Sequence, residues 1–218
     1  MRTRVLKVDP QYPDPQVIRE AAGLLRRGGL VAFPTETVYG LGANLRDPQA
    51  VQELYQVKQR PFEKRATLHV ADFKQIEEEG VDPSPLACEL MRRFWPGPVT
   101  LVLARPDGST IGFRMPAHPA ALALLREAAV PVIAPSANLA GQPPAVSAEQ
   151  VLESFSDRID AVLDGGPAGS GQSSTVVDLA SNPPRILREG KLSGEIRALI
   201  EKQQNVPEKK NPIRLHRQ

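Results

Sequence analysis

The chain has 218 residues, 41% of them hydrophobic and 24% charged, with a formal net charge of +2. That suits one sizeable core and excludes any case for nucleic-acid or membrane binding from overall charge, so a cationic site must be local. A single cysteine, Cys88, excludes an internal disulfide and a cysteine-based zinc site, and the three histidines lie too far apart for a metal-ligand motif. No apolar h-region opens the sequence and no run approaches a membrane span, which gives the expectation of a cytoplasmic protein with no membrane partner.

Residues 15–27 read as an amphipathic helix with Val17, Ala21, Leu24 and Leu25 on one face, ended by Gly28-Gly29. "LVAF" suits a buried strand, and "PTETVYGLGAN" after it reads as a polar, hydroxyl-rich loop with two close glycines. "DPQAVQELYQVKQRP" carries an Asp N-cap, Pro at the first helical position and a stop before Pro61, so its end presents Lys58 and Arg60. "ATLHVAD" reads as a strand, "SPLACELMRRFWP" as a capped helix containing Cys88, and "VTLVLAR" and "TIGFRMP" as strands. "HPAALALLREAA" follows as a helix and "VPVIAPSA" as a strand entering a polar turn. Ser147 and Gln150 then form a capping-box pattern. "AVLDGG", "STVVDLA" and "PRILREG" are late strands, and "SGEIRALIEKQ" is the final helix. Alternating strands and helices, with some strands adjacent, predict an α/β fold on one mixed sheet. The basic stretch 201–218 reads as a disordered or loosely docked tail.

Polar clusters stand where apolar runs end: "PTETVYG", "PSAN" and "DGGPAGSGQSST". Turns converging at strand ends would form a ligand site. "GLGANL" fails the last place of G-x-G-x-x-G, no P-loop is present, and "PSANLAG" does not match a nucleophile elbow. Arg114 interrupts a strand-like segment between Phe113 and Met115, and arginine suits bidentate recognition of carboxylate or phosphate. These residues alone predict an anion-binding cleft on an α/β protein.

Six blocks occur in order: "FPTETVYGLGAN", "KQRP", "FWPGPVTLVL", "FRMPAHP", "APSANLAG" and "SSTVVDL". Together they closely resemble the YrdC/Sua5 family, the threonylcarbamoyl-AMP synthases, over residues 10–200. The resemblance implies a twisted mixed sheet flanked by helices around a positively charged central cavity. It implies that L-threonine, bicarbonate and ATP, with Mg²⁺ on the triphosphate, give L-threonylcarbamoyladenylate and pyrophosphate. The product would pass to a separate transferase complex that modifies adenosine 37 of tRNA, and direct RNA binding is a further expectation.

Carried over position by position, the resemblance assigns Thr37, His69, Arg114, the backbone of Ala134, and Ser174 to threonine. It assigns Lys58 and Arg60 to the phosphates or the carbamate, as charge stabilisers without a protein nucleophile. It assigns Lys64, Thr110, Ser136, Asn138, Pro144 and Arg188 to ATP. Two positions depart from the family pattern: Lys64, where many members have Asn, and Ser173, often acidic in longer members. The chain looks like the single-domain type, and the tail is a candidate lid. Two other readings stand beside the synthase: an RNA-binding module, and a carbamoyl-transfer domain of the same fold as in hydrogenase maturation.

Overall fold

The computed structural model describes residues 2–204. The tail proposed as a lid lies outside the described residues from position 205 onward. In chain order the elements are β1 (Arg4–Lys7), α1 (Pro15–Arg26), β2 (Val31–Phe33), β3 (Gly40–Asn44), α2 (Pro48–Val57), β4 (Thr67–His69), α3 (Lys74–Glu77) and α4 (Pro85–Phe94). Then follow β5 (Val99–Ala104), β6 (Thr110–Arg114), α5 (Pro119–Ala128), β7 (Val132–Ile133), α6 (Ala148–Phe155), β8 (Ala161–Asp164), β9 (Thr175–Asp178), β10 (Arg185–Arg188) and α7 (Ser193–Gln204).

Local chemistry starts the helices where the sequence says it should. Asp14, Asp47, Ser84 and Ser147 each accept a hydrogen bond from a backbone N–H of the first turn. Proline opens α1, α2, α4 and α5, where its missing N–H costs nothing. The capping box of α6 closes one residue early, with Gln150 Oε1 accepting from Val146 N at 2.8 Å rather than from Ser147 N.

The strands form a ten-stranded sheet in the order β1-β8-β2-β3-β7-β4-β6-β5-β9-β10. Pairs β1/β8, β2/β8, β4/β6 and β5/β9 are parallel and the rest antiparallel, so the sheet is mixed, as the sequence predicts. Alternation along each strand separates two faces. One face sends Leu41, Leu68, Leu101, Phe113, Ile133 and Val177 into a core shared with α2, α4, α6 and α7. The other sends Val31, Phe33, Val132 and Leu163 against α1 and α5.

The structure corrects two sequence readings and adds two elements. The glycine segment is not a loop: Gly40–Asn44 is a fully buried strand between β2 and β7. A Cβ on Gly42 would lie 3.0 Å from Phe33 Cε1 and 3.2 Å from Val132 Cγ1, so this glycine admits a neighbouring ring rather than supplying flexibility. The short strand β1 and the one-turn helix α3 had no expected counterpart. The buried face of α1 is centred on Ile18, Ala21, Ala22 and Leu25, while Val17 and Leu24 lie at its margin.

Candidate active site

The register of the central strands brings polar side chains to one patch. Thr67 pairs with Gly112 and His69 with Arg114 across β4 and β6, and His69 also pairs with Val132 of β7. Paired positions share a face, so these side chains lie on the same face as the α1/α5 core, beyond the reach of those helices. Thr100 of β5 and Ser174, just before β9, extend the patch. The resulting cleft measures about 100 Å³ and is lined by Arg60, Thr67, His69, Thr100, Arg114, Ser136, Ser173, Ser174 and Arg188 among others, with no Asp or Glu. Its floor is the open face of strands, and the three predicted strand-end turns converge on it through Val38 of "PTETVYG", Ser136 of "PSAN" and Ser173 and Ser174 of "DGGPAGSGQSST".

Arg114 is 5% exposed at the centre of the cleft. Its Nη2 donates to Thr37 Oγ1 at 2.7 Å and lies 2.8 Å from Glu36 Oε1, while its Nε is buried without an acceptor. Thr35 stiffens this corner: its hydroxyl donates to Val38 O at 2.6 Å and accepts from Val38 N at 3.2 Å. Arg188 donates from Nε to Ser174 O and from Nη2 to Ser174 Oγ, both at 2.9 Å, and Ser174 Oγ meets Thr100 Oγ1 at 2.8 Å. Burial, then Arg114 and Arg60, hold the Arg188 guanidinium below its ordinary pKa. Glu36 balances Arg114 in part, but Arg60 and Arg188 have no acidic partner among the described residues, so the cleft favours an incoming anion.

His69 is pushed down to about 3, by burial first and Arg114 second, so it stays neutral at physiological pH. Among the described residues its Nδ1 has no hydrogen-bond partner, and its ring meets Phe33 edge-on at 6.0 Å.

The other expected residues are placed differently. Lys58 is 1% exposed, and its Nζ donates to Ser136 O at 2.5 Å and Asn138 O at 2.6 Å. Burial and then Arg60 push it down to about 7; either protonation state has enough N–H groups for both carbonyls. It clamps the "PSAN" turn from beneath. Asn138 is turned into its own loop, donating from Nδ2 to Leu139 O and Gln142 O, with Oδ1 accepting from Ser136 Oγ. Ala134 lines the cleft and pairs through its backbone N with Thr67 O at 2.8 Å. Lys64 is exposed, and its carbonyl accepts from Arg60 Nε at 2.8 Å. Thr110 lines a separate hollow of about 160 Å³ with Tyr55 and Arg65. Pro144 is half-buried and does not line the cleft. Thr67, Thr100 and Glu36 escaped the sequence reading. A threonine inside the apolar run "VTLVLA" was the available signal for Thr100, the same interruption that marked Arg114.

A larger hollow of about 420 Å³ lies at the far end of β4 between α3 and α5. Two pairs among its charges, Arg46 with Glu79 and Lys74 with Glu78, neutralise each other, so it lacks the excess charge of the smaller cleft.

The family model for the Sua5/YciO/YrdC domain, described as "Telomere recombination", matches residues 23–190. The chain belongs to the Sua5/YciO/YrdC family. Within that family it is similar to the threonylcarbamoyl-AMP synthase of Bacillus subtilis, 46% identical over 198 residues that cover 86% of this chain and 57% of that protein. The threonylcarbamoyl-AMP synthase of Pyrococcus abyssi is 44% identical over 83% of this chain and 58% of its own length. The crystal structure of P. abyssi Sua5 complexed with L-threonine superposes with a TM-score of 0.86 at 42% identity, covering 91% of this chain and 61% of that one. The chain thus spans less than two thirds of these Sua5/YciO/YrdC relatives. Among the described residues no helix is long and apolar enough to cross a membrane.

Proposed function

We propose that this chain carries out threonylcarbamoyl-AMP synthesis, joining L-threonine, bicarbonate and ATP and releasing pyrophosphate. The observation that carries the reading is the cleft lined by three guanidiniums, with one carboxylate, Glu36, standing behind the central Arg114, in a chain whose relatives are named for this activity. The threonine carboxylate pairs with Arg114, whose Nε lacks an acceptor. Neutral His69 and the hydroxyls of Thr67, Thr100 and Ser174 offer hydrogen bonds to the rest of the amino acid without adding charge.

The threonine amine and bicarbonate give a carbamate. One carbamate oxygen attacks the α-phosphorus of ATP, the bond to the β-phosphate oxygen breaks, and pyrophosphate leaves. Positive charge fixed before the reaction stabilises the negative charge that gathers there, and no protein nucleophile is needed. Arg60 and Arg188 supply that charge, and Ser136 stands at the rim for the nucleotide. Lys58 acts by holding the Ser136–Asn138 turn in place.

Mg²⁺ enters with ATP as part of the substrate. No group of three or more His, Cys, Asp and Glu side chains is poised to hold a metal among the described residues. The cleft donors suit phosphate oxygens rather than a cation, so phosphates and water would ligate the ion. The product is a mixed anhydride, and a transferase acting on tRNA would consume it.

The test is pyrophosphate release from MgATP without RNA, with threonine and bicarbonate each added or omitted. Release requires both, and Arg60→Ala lowers it by about a hundredfold or more, the loss expected for one preorganised charge at a reacting phosphate. Release that ignores threonine, or none from folded protein, overturns the reading.

A further inference from the structure

Glu36 lies on the turn between β2 and β3, beside Arg114. Its Oε1 is 2.8 Å from Arg114 Nη2, yet both carboxylate oxygens are closed to solvent and neither accepts a hydrogen bond. Nη2 donates to Thr37 Oγ1 instead. Next to it, Arg114 Nε is a buried donor without an acceptor. Oε1 has the Arg114 charge beside it, but Oε2 and Arg114 Nε have no partner among the described residues; buried polar atoms are almost always paired, so these two, side by side, call for a ligand.

The two needs are opposite and adjacent. A free α-amino acid carries both complements one carbon apart: a carboxylate for the guanidinium and an ammonium with three donors for the carboxylate. We propose that Glu36 receives the α-ammonium of the amino-acid substrate and takes its proton, which makes it a catalytic residue. The proposal rests on the threonine reading of the cleft.

The turn is held firmly enough for that role. Glu36 O accepts from Ser170 N at 3.0 Å and Thr37 O from Gly171 N at 2.9 Å. Gly169 packs so closely that a Cβ there would lie 2.6 Å from Glu36 O. The titratable groups facing Glu36 are Arg114 on β6 and His118 just before α5. Burial lowers the His118 pKa and Glu36 opposes that shift. The loop 165–171 meets the turn with backbone.

An ammonium has no lone pair with which to attack carbon. Transfer of one N–H proton to a Glu36 oxygen frees the pair. The nitrogen then bonds to the bicarbonate carbon as the C–OH bond breaks, and the hydroxide leaves as water with a second amine proton. Ammonium, bicarbonate and ionised Glu36 thus become carbamate, water and protonated Glu36, which returns its proton to solvent.

Glu36→Gln keeps the shape but cannot take the proton. Threonine-dependent pyrophosphate release at pH 7 should fall by about a hundredfold or more. It should then recover by about tenfold per pH unit on alkalinisation, as the free amine deprotonates itself. The reverse step, ATP formation from threonylcarbamoyl-AMP and pyrophosphate, involves no ammonium and should lose far less. Glu36→Asp keeps a base and should retain the wild-type pH profile at a lower rate, which also serves if the Gln variant does not fold. No threonine-dependent release from the wild type would sink the reading of the cleft itself. An active wild type matched by Glu36→Gln would overturn this proposal alone. So would forward and reverse losses of equal size with an unchanged pH profile, which would mark Glu36 as a positioning residue for Arg114.

Discussion

One face of the sheet has two halves built for different ends. Over β8, β2, β3 and β7, helices α1 and α5 bring Ala21, Leu25, Leu124 and Leu125 onto Val31, Phe33, Val132 and Leu163. Over β4, β6 and β5 the same face presents Thr67, His69, Arg114 and Thr100 to the cleft. The first half excludes water and gains stability from apolar burial. The second keeps Arg114 buried and Arg60 half-buried, with Arg188 exposed at the edge, at a cost that an anionic ligand would relieve. The opposite face is apolar across both halves, so the sheet can hold an electrostatically costly patch because its stability is generated elsewhere.

The largest test of this division sets Phe33 against Arg60. Phe33 is fully buried, with its ring against Gly40 and Gly42. Phe33→Ala should cost about 3–5 kcal/mol in denaturant unfolding. Among the described residues Arg60 bonds only to the carbonyls of Lys64 and Arg65 on an exposed loop. Arg60→Ala should therefore change stability by about 0.5 kcal/mol or less while removing activity. Comparable stability losses in the two variants would erase the distinction between a structural and a functional half.

Lys58 sharpens the comparison, because it is a cleft-side cation buried like a core residue. Its folded pKa is pushed down to about 7 from an ordinary 10.5. Between those values the unfolded chain binds the extra proton, so stability should rise with pH through that window. Below it the full cost of burying the ammonium is carried, offset in part by the carbonyls of Ser136 and Asn138. Lys58→Met should flatten the rise, as measured by denaturant midpoints between pH 7 and 10. An unchanged slope would mean that another group titrates there.

In the covered half the sequence showed β2, β7, β8 and both helices but not β3; in the open half it showed the strands but not which side chains share the cleft. Helix starts were readable because Asp14, Asp47, Ser84 and Ser147 act locally on backbone two or three residues away. β3 was hidden because its residues, Gly-Leu-Gly-Ala-Asn, lack strand formers. Their reason is the Phe33 ring on the neighbouring strand, a non-local demand. Arg114 stood out as a charge within an apolar strand, but that Thr100 and Thr67 share its face follows from register, which one sequence does not print. The family resemblance assigned Lys58 to the phosphates or the carbamate; that its ammonium points under the "PSAN" turn depends on how α2 docks. Glu36 was passed over among the hydroxyls of "PTET", since an unsatisfied carboxylate becomes visible only once Arg114 is beside it.

The smallest effect concerns what the open half can read. Its lining is polar, with Val38 and Ala134 as apolar surfaces. If these contact the threonine methyl, serine loses one buried methyl, about 1 kcal/mol or roughly fivefold in kcat/KM. Serine should thus be a poorer but measurable substrate in pyrophosphate release. The loss should belong to the amino acid alone, leaving the KM for ATP unchanged, because the methyl touches no phosphate contact. Equal kcat/KM for the two amino acids would show that the open half reads charge and hydroxyl but not shape. A discrimination far above fivefold would require the apolar half to reach into the cleft, with Phe33 or its neighbours closing on the methyl.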